Sequence, residues 1–212
     1  MSDKKPLIIY DCDGTLEFPL MFAYGLAKQS DKTLTFADFK KAHVGDIKAM
    51  APGMADMIRY TAEIGNNVLL SGGNPTKEGS RELKSLFGYF KNWTFQGTEV
   101  PFGKEPSGVL KDDPRVAEEL IKFFDPSIVI VVGDSEDEVK LAENIKADVL
   151  LLQGINKRSL LDQVKNVPHK YAAKDGKEMV EILKDFFEKQ MSSKIRTQTI
   201  SPPRRNPGND GR

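Results

Sequence analysis

Short, mainly apolar segments recur at four places along the chain, and each is too short for a helix of ordinary length. They are rich in residues that favour extended backbone, and they lack the apolar–polar alternation of a strand with one wet face. The pattern therefore predicts strands that are buried on both faces of a parallel sheet. The four segments are Leu7–Tyr10, Asn67–Leu70, Ile128–Val132 and Val149–Leu152.

The stretches between these segments carry apolar residues three or four positions apart, which is the spacing of a helix with one buried face. Strands that alternate with helices form a parallel sheet that is covered on both sides. The sequence thus predicts an α/β fold, a Rossmann-like doubly wound parallel sheet. The helices are predicted around residues 54–58, 83–87, 117–124, 141–145 and 179–186.

Two regions depart from this alternation. Residues 17–51 contain two weakly helical pieces, Met21–Gln29 and Phe36–His43, and predict a small helical cap insertion above the sheet. From residue 191 the composition shifts to Ser, Thr, Pro, Arg, Gly and Asn, which predicts a disordered tail or a linker. We therefore expect one domain over residues 1–190. The tail over 191–212 is either a free terminus or a link to a missing region that targets a membrane or a partner.

Composition narrows the classes of function. Lys and Arg together number 31, as do Asp and Glu, so charge gives no argument for a nucleic-acid partner. The single cysteine, Cys12, excludes an intramolecular disulfide and a cysteine-based zinc site, and it fits the cytoplasm or another reducing compartment. We expect no signal peptide, no transmembrane segment and no membrane contact from this segment. We also expect a monomer.

Candidate catalytic residues follow the first predicted strand. Ligands of open α/β sheets bind beyond the carboxyl ends of the strands, which is where Asp11 and Asp13 stand. One carboxylate can attack a phosphorus atom, while the other protonates the leaving oxygen and later deprotonates water. The same residues with Gly14 are also compatible with an ordinary turn, since Asp and Gly favour turns.

Further polar residues stand near the ends of the other predicted strands. Ser71 and Gly72 precede a helix, an arrangement that can hold a phosphate oxygen, although Ser-Gly-Gly is also a common loop. Asp134 begins a second acidic cluster, whose hard oxygen atoms favour magnesium unless the cluster is only a negatively charged helix start. Lys104 lies in the loop upstream of that cluster. Its ammonium either neutralises a phosphoryl group or is simply solvated.

In this order, the four pieces resemble the motifs of the haloacid dehalogenase (HAD) superfamily of phosphohydrolases. The resemblance implies the HAD fold and a phosphoaspartyl intermediate on Asp11, with Asp13 as the general acid and base. It also implies a Mg²⁺ ion held by Asp11, the backbone carbonyl of Asp13 and Asp134. The matching residues, in motif order, are Asp11 with Asp13, Ser71, Lys104 and Asp134.

Two assignments within these motifs leave an alternative open. The second acid of the fourth motif is Asp137 or Glu138, either of which can reach the metal through water, and we favour Asp137 because a shorter spacing also occurs in the superfamily. Lys111 is the weaker candidate for the third motif, because Lys104 stands in the more typical Gly-Lys-x-Pro context. The presence of Asp13 favours phosphoryl transfer, because the haloalkanoate dehalogenases that resemble this superfamily lack the second aspartate.

The predicted cap is short compared with the helical bundles that are typical of sugar-phosphate enzymes in the superfamily, which implies an open site. We therefore expect a bulky phosphomonoester, first of all phosphotyrosine on a protein, as in the minimally capped tyrosine phosphatases of the superfamily. Phe18, Met21, Phe22 and Tyr24 either supply apolar surface for an aromatic ring or are packing contacts. The alternatives are a phosphatase of small metabolites, such as sugar phosphates or phosphoglycolate, and a binding module of the same fold without catalysis.

Overall fold

Strands alternate with helices in the computed structural model, which describes residues 4–95, 111–151 and 161–199. The strands are β1 (Leu7–Tyr10), β2 (Glu17–Pro19), β3 (Lys48–Met50), β4 (Asn66–Ser71), β5 (Phe90–Phe95), β6 (Val129–Gly133), β7 (Asp148–Leu151) and β8 (Lys170–Ala172). The α-helices are α1 (Leu20–Ser30), α2 (Phe36–Ala42), α3 (Met54–Ile64), α4 (Pro75–Glu78), α5 (Arg81–Ser85), α6 (Pro114–Phe124), α7 (Glu136–Ile145) and α8 (Gly176–Thr199).

Six of these strands form one sheet in the order β5-β4-β1-β6-β7-β8, and every neighbouring pair runs parallel. The predicted doubly wound parallel sheet is therefore confirmed. The four strands expected from apolar segments occupy the middle of the sheet. The two edge strands, β5 and β8, were not predicted. An edge strand meets solvent along one side, so polar residues such as Lys91 and Lys170 interrupt its apolar run.

Alternate side chains of β1 point to opposite faces of the sheet and enter two separate cores. Ile8 and Tyr10 pack with residues of α3 and α8 on one face. Leu7 and Ile9 pack with residues of α6 and α7 on the other face. Since each of these four residues is at most 1% exposed, β1 is the central strand of the molecule. Whatever follows β1 emerges between the two cores, at the carboxyl edge of the sheet.

The cap insertion lies between β1 and α3. Helices α1 and α2 match the two predicted helical pieces, and β2 and β3 pair as a short antiparallel ribbon that was not predicted. Each strand of this ribbon has only three residues, which is too few to show a hydrophobic period.

The C-terminal helix α8 is longer than expected. It continues to Thr199, past residue 190 where the predicted domain ends, while residues 200–212 lie outside the described ranges, and the tail or linker stays a prediction. The sequence contains neither Gly nor Pro between Lys177 and Pro202, so nothing ends the helix earlier. Among the described helices, none combines the length and the apolar character that crossing a membrane requires. The expected monomeric state, partners and compartment stay predictions.

A buried carboxylate at the start of β7 leads to a pH-dependent prediction. Asp148 is 6% exposed, and its Oδ1 accepts no hydrogen bond from any residue in the described ranges. Burial raises the pKa of Asp148, against the lowering effect of His169, whose Nε2 lies 3.8 Å from Oδ1. The folded chain therefore binds this proton more tightly than the unfolded chain, and the contribution to stability is lost as pH rises through the folded pKa.

We expect Asp148→Asn to raise the free energy of unfolding by about 1 kcal/mol at pH 8, because it removes a buried charge. At pH 3, below the ordinary pKa of an aspartate, the carboxyl group is protonated in the folded chain, and the two proteins should differ little. Urea denaturation at the two pH values measures the difference. A variant that is less stable than the wild type at pH 8 would show that the Asp148 charge has a stabilising partner.

Candidate active site

A tight turn follows β1 and brings its carboxylates to the edge of the sheet. The backbone carbonyl of Cys12 accepts a hydrogen bond from the amide of Glu17 at 3.0 Å, which closes the turn. Gly14 has a φ of 86°, in the left-handed region that favours glycine. A Cβ atom on Gly14 would also lie 2.5 Å from Oδ2 of Asp134, so the turn packs directly against that carboxylate. The glycine is required by both its backbone conformation and this close approach.

Two aspartates converge on one hydroxyl group. Oγ1 of Thr15 lies 3.2 Å from Oδ2 of Asp11 and 3.1 Å from Oδ1 of Asp134. Burial, followed by the negative charge of Glu138, raises the pKa of Asp11 to about 7, although Lys111 opposes the shift. Burial likewise raises the pKa of Asp134. The negative charge of Asp134 also raises the pKa of Asp11, so the two carboxylates repel each other, and a divalent cation between them would relieve that repulsion.

Lys111 is the cation that the structure places on Asp11. Its Nζ lies 2.9 Å from Oδ1 of Asp11 and also pairs with Oε1 of Glu138. The charges of both carboxylates outweigh the effect of burial and raise the pKa of Lys111, so the ammonium stays charged. Lys104, the preferred candidate from the sequence, lies outside the described residues, and its role stays a prediction. Among the described residues, the weaker sequence candidate is therefore the lysine in direct contact with Asp11.

The start of α7 decides which acid of the fourth motif faces the site. Ser135 and Glu138 form a capping box, in which the Ser135 amide donates to Oε2 of Glu138 at 2.9 Å. Glu138 is 2% exposed, whereas the side chain of Asp137 is 48% exposed and lies 3.9 Å from Lys140. The structure favours Glu138 over Asp137 as the second acid, contrary to our expectation from the sequence. In the capping box, the side chain of the third helical residue, Glu138, folds back onto Ser135 and is buried, whereas that of the second, Asp137, stays on the surface.

Asp13 lies between the cap and the loop after β4. Its Oδ1 accepts a hydrogen bond from Nζ of Lys48 at 2.7 Å, and a Cβ atom on Gly73 would lie 2.9 Å from its Oδ2. Ser71 is 2% exposed, and its hydroxyl accepts a hydrogen bond from the Gly73 amide at 3.1 Å. Gly72 is exposed beside it. The predicted acid and the predicted phosphate-binding loop thus lie side by side.

Comparison with known proteins supports the architecture. No family model and no curated protein matches the sequence. A haloacid dehalogenase-like hydrolase from Streptococcus pneumoniae is similar in structure, with a TM-score of 0.53 and 13% identity over 88% of this chain and 100% of that one. A protein described as a predicted phosphoglycolate phosphatase from Haemophilus somnus has a TM-score of 0.56 and 17% identity over 86% and 99%. The chain has the haloacid dehalogenase fold.

A third structure with the HAD fold is described as binding a metal ion. A HAD hydrolase from Bacillus subtilis, described as bound to magnesium, has a TM-score of 0.55 and 14% identity over 85% of this chain and 99% of that one. Within the described ranges of our chain, no group of three or more His, Cys, Asp and Glu side chains is arranged to hold a metal ion. The ligand set that the resemblance implies needs only two carboxylates, those of Asp11 and Asp134. These two converge, so the residues present fit a divalent cation.

Three residues of this HAD-fold site had no part in the assignments from sequence. Thr15 belongs to the first motif, so its place beside Asp11 could have been inferred from the motif. Glu17 is fully buried, and its Oε1 accepts a hydrogen bond from the Ser80 amide at 2.8 Å. Lys48 stands 35 positions from Asp13, inside the cap insertion, and no sequence signal marks it.

The Gly14 turn can be tested by adding a single methyl group. We expect Gly14→Ala to lower the free energy of unfolding by at least about 2 kcal/mol, because alanine is strained at this φ and its Cβ displaces Asp134. Gly25→Ala is the matched control, since Gly25 lies in α1 with open space around its Cβ position, and it should be neutral or stabilising. Urea denaturation measures both variants. Equal stability of the two would contradict the close packing of the turn against Asp134.

Proposed function

We propose that the chain is a magnesium-dependent phosphomonoester hydrolase that acts through a phosphoaspartyl intermediate on Asp11. The observation that carries this proposal is the environment of the Asp11 carboxylate. It is buried at the carboxyl end of the central strand, with Lys111 against one oxygen and the hydroxyl that it shares with Asp134 against the other. Structurally similar proteins that are described as hydrolases of the HAD type support the same reaction class.

Each side chain has a definite task in this reaction. A carboxylate oxygen of Asp11 attacks phosphorus, and the Lys111 ammonium offsets the negative charge of the phosphoryl oxygens. Asp13 protonates the leaving oxygen and then accepts a proton from the water that hydrolyses the intermediate. The Ser71 hydroxyl and the amides of its loop bind phosphoryl oxygens. Asp11 and Asp134 would hold Mg²⁺, which would offset the negative charge of these carboxylates and of the phosphoryl group.

For the substrate we propose a small phosphorylated metabolite in place of a phosphotyrosine protein. Lys48 of the cap, whose side chain is only 19% exposed, contacts Asp13 directly, so the short cap reaches the edge of the sheet that carries the acid. Phe18 precedes Pro19, the residue that pairs with Lys48 in the ribbon. Because successive side chains of a strand point to opposite faces, Phe18 lies on the face opposite Lys48. There it stacks on Phe22, with 5.3 Å between the ring centroids. Phe18 is 5% exposed and belongs to the core, whereas Phe22 is 44% exposed. A neighbour described as a predicted phosphoglycolate phosphatase supports a small substrate.

A substrate panel with magnesium and with EDTA tests both the proposed reaction and the proposed class of substrate. The panel contains phosphoglycolate, several sugar phosphates, a phosphotyrosine peptide and a phosphoserine peptide. We expect magnesium-dependent release of phosphate, with the highest kcat/KM on one of the metabolites. A clear preference for the phosphotyrosine peptide would overturn the substrate class and keep the reaction. No magnesium-dependent hydrolysis of any compound would overturn the reaction and favour a binding module.

A further inference from the structure

One cation of the cap reaches the catalytic edge of the sheet. Lys48 is the first residue of β3, and its Nζ lies 2.7 Å from Oδ1 of Asp13 and 3.7 Å from Oε2 of Glu78. The cap, and not the sheet, thus supplies an ammonium group in contact with Asp13.

This contact restrains the Asp13 carboxylate. The side chain of Asp13 is 47% exposed, so solvent alone would leave it free to rotate. One of its oxygens is bound by Lys48, and the other rests against Gly73 in the loop that carries Ser71. Over the described ranges, Lys48 is the sole cation within ion-pair distance of Asp13. The carboxylate is thereby held beside the loop that carries Ser71.

We propose that Lys48 is a positioning residue for the general acid Asp13. It holds the Asp13 carboxyl group on the leaving-group side of the phosphoryl site and stabilises the carboxylate that remains after proton donation. The inference rests on the proposed phosphatase function and adds a second lysine with a separate task. Lys111 serves the nucleophile Asp11, whereas Lys48 serves the acid.

The proton transfers of the two steps show when Lys48 acts in the reaction. In the first step, Asp11 forms a bond to phosphorus while the ester P–O bond breaks, and the Asp13 carboxyl proton moves to the leaving oxygen, which departs as a neutral alcohol. Asp13 is then an anion paired with the Lys48 ammonium. In the second step, water bonds to phosphorus, the P–O bond to Asp11 breaks, a water proton moves to Asp13, and inorganic phosphate leaves. Lys48 loses no proton in either step.

The test uses two leaving groups that differ in their need for a proton. The first substrate is p-nitrophenyl phosphate, whose p-nitrophenolate leaves without being protonated. The second is glycerol 2-phosphate, whose glycerol alkoxide must be protonated as it leaves. Neither leaving group carries a further anionic group that would bind Lys48 directly. In single turnovers, we expect Lys48→Met to slow alcohol release from glycerol 2-phosphate by about 100-fold, the contribution of a positioned general acid. Release of p-nitrophenol should change by less than about threefold. Arginine at this position, in Lys48→Arg, should restore most of the lost rate on glycerol 2-phosphate. In steady-state kinetics, the KM of Lys48→Met should differ little from that of the wild type.

Arg81→Gln is the matched control, because it loosens the cap without touching Asp13. Nε of Arg81 lies 3.3 Å from Oδ2 of Asp46, so this pair ties the same insertion to α5. We expect the control to affect both substrates equally or not at all. Equal losses on the two substrates in Lys48→Met, a loss confined to KM, or the same selective loss in Arg81→Gln would each overturn the inference. A wild-type chain that hydrolyses neither these esters nor any compound of the substrate panel would instead overturn the proposed function, and the inference with it.

Discussion

Asp11→Asn is expected to reduce phosphomonoester hydrolysis by roughly 10⁴-fold or more while the chain remains folded. The amide has nearly the shape of the carboxylate but is not a nucleophile, so no phosphoaspartate forms. Acid-quenched wild-type enzyme should carry one added phosphoryl group during turnover, and the variant should carry none. Unchanged hydrolysis in the variant would refute the assignment of Asp11 as the nucleophile.

The same variant should also change how stability depends on pH. Because the pKa of Asp11 rises from 3.8 to about 7 on folding, the folded chain binds this proton more tightly than the unfolded chain. That contribution to stability is lost as pH rises through this window, and Asp11→Asn removes the loss. In urea denaturation without magnesium, we expect the variant to be as stable as the wild type near pH 4 and more stable at pH 8. Its Lys111 keeps a partner in Glu138, so no new unpaired charge offsets the gain.

Lys111→Met is expected to cause the second large loss, in both stability and activity. The variant leaves the carboxylates of Asp11 and Glu138, with side chains 6% and 3% exposed, without their cation. Breaking a buried pair in this way costs about 3 kcal/mol or more in the free energy of unfolding. We expect kcat/KM to fall by about 100-fold or more, because the phosphoryl charge also loses its partner. Urea denaturation and steady-state kinetics with glycerol 2-phosphate measure the two effects.

Lys104→Met is the matched control for this prediction, because Lys104 is the lysine that the motif context favours. If Lys111 is the charge partner of the nucleophile, Lys104→Met should keep the stability of the wild type and most of its activity. A larger loss of activity in Lys104→Met than in Lys111→Met would restore the assignment from sequence. It would also mean that the ion pair of Lys111 with Asp11 has a structural role only.

The central strands and the two aspartates after β1 were predictable because their signals are local. Burial on both faces of a parallel sheet requires an apolar side chain at nearly every position, and Leu7–Tyr10 meets that requirement within four consecutive residues. A strand that ends in Asp11 and Asp13 places them at the carboxyl edge of the sheet whatever the rest of the chain does. The edge strand β8 has no such local signal, because two of its three residues are exposed.

The sequence by itself thus determined the α/β class, the central strands and the aspartates that follow β1. The tertiary structure decided which charged side chains contact these aspartates. Lys111 stands 100 positions from Asp11, and Lys48 stands 35 positions from Asp13, so both contacts depend on how separate segments pack. Glu138 and Asp137 differ by one position, but one helical residue is a rotation of about 100°, enough to exchange a buried place for a solvated one. A charge interaction depends on distance and burial, and neither is encoded in the spacing of the motifs.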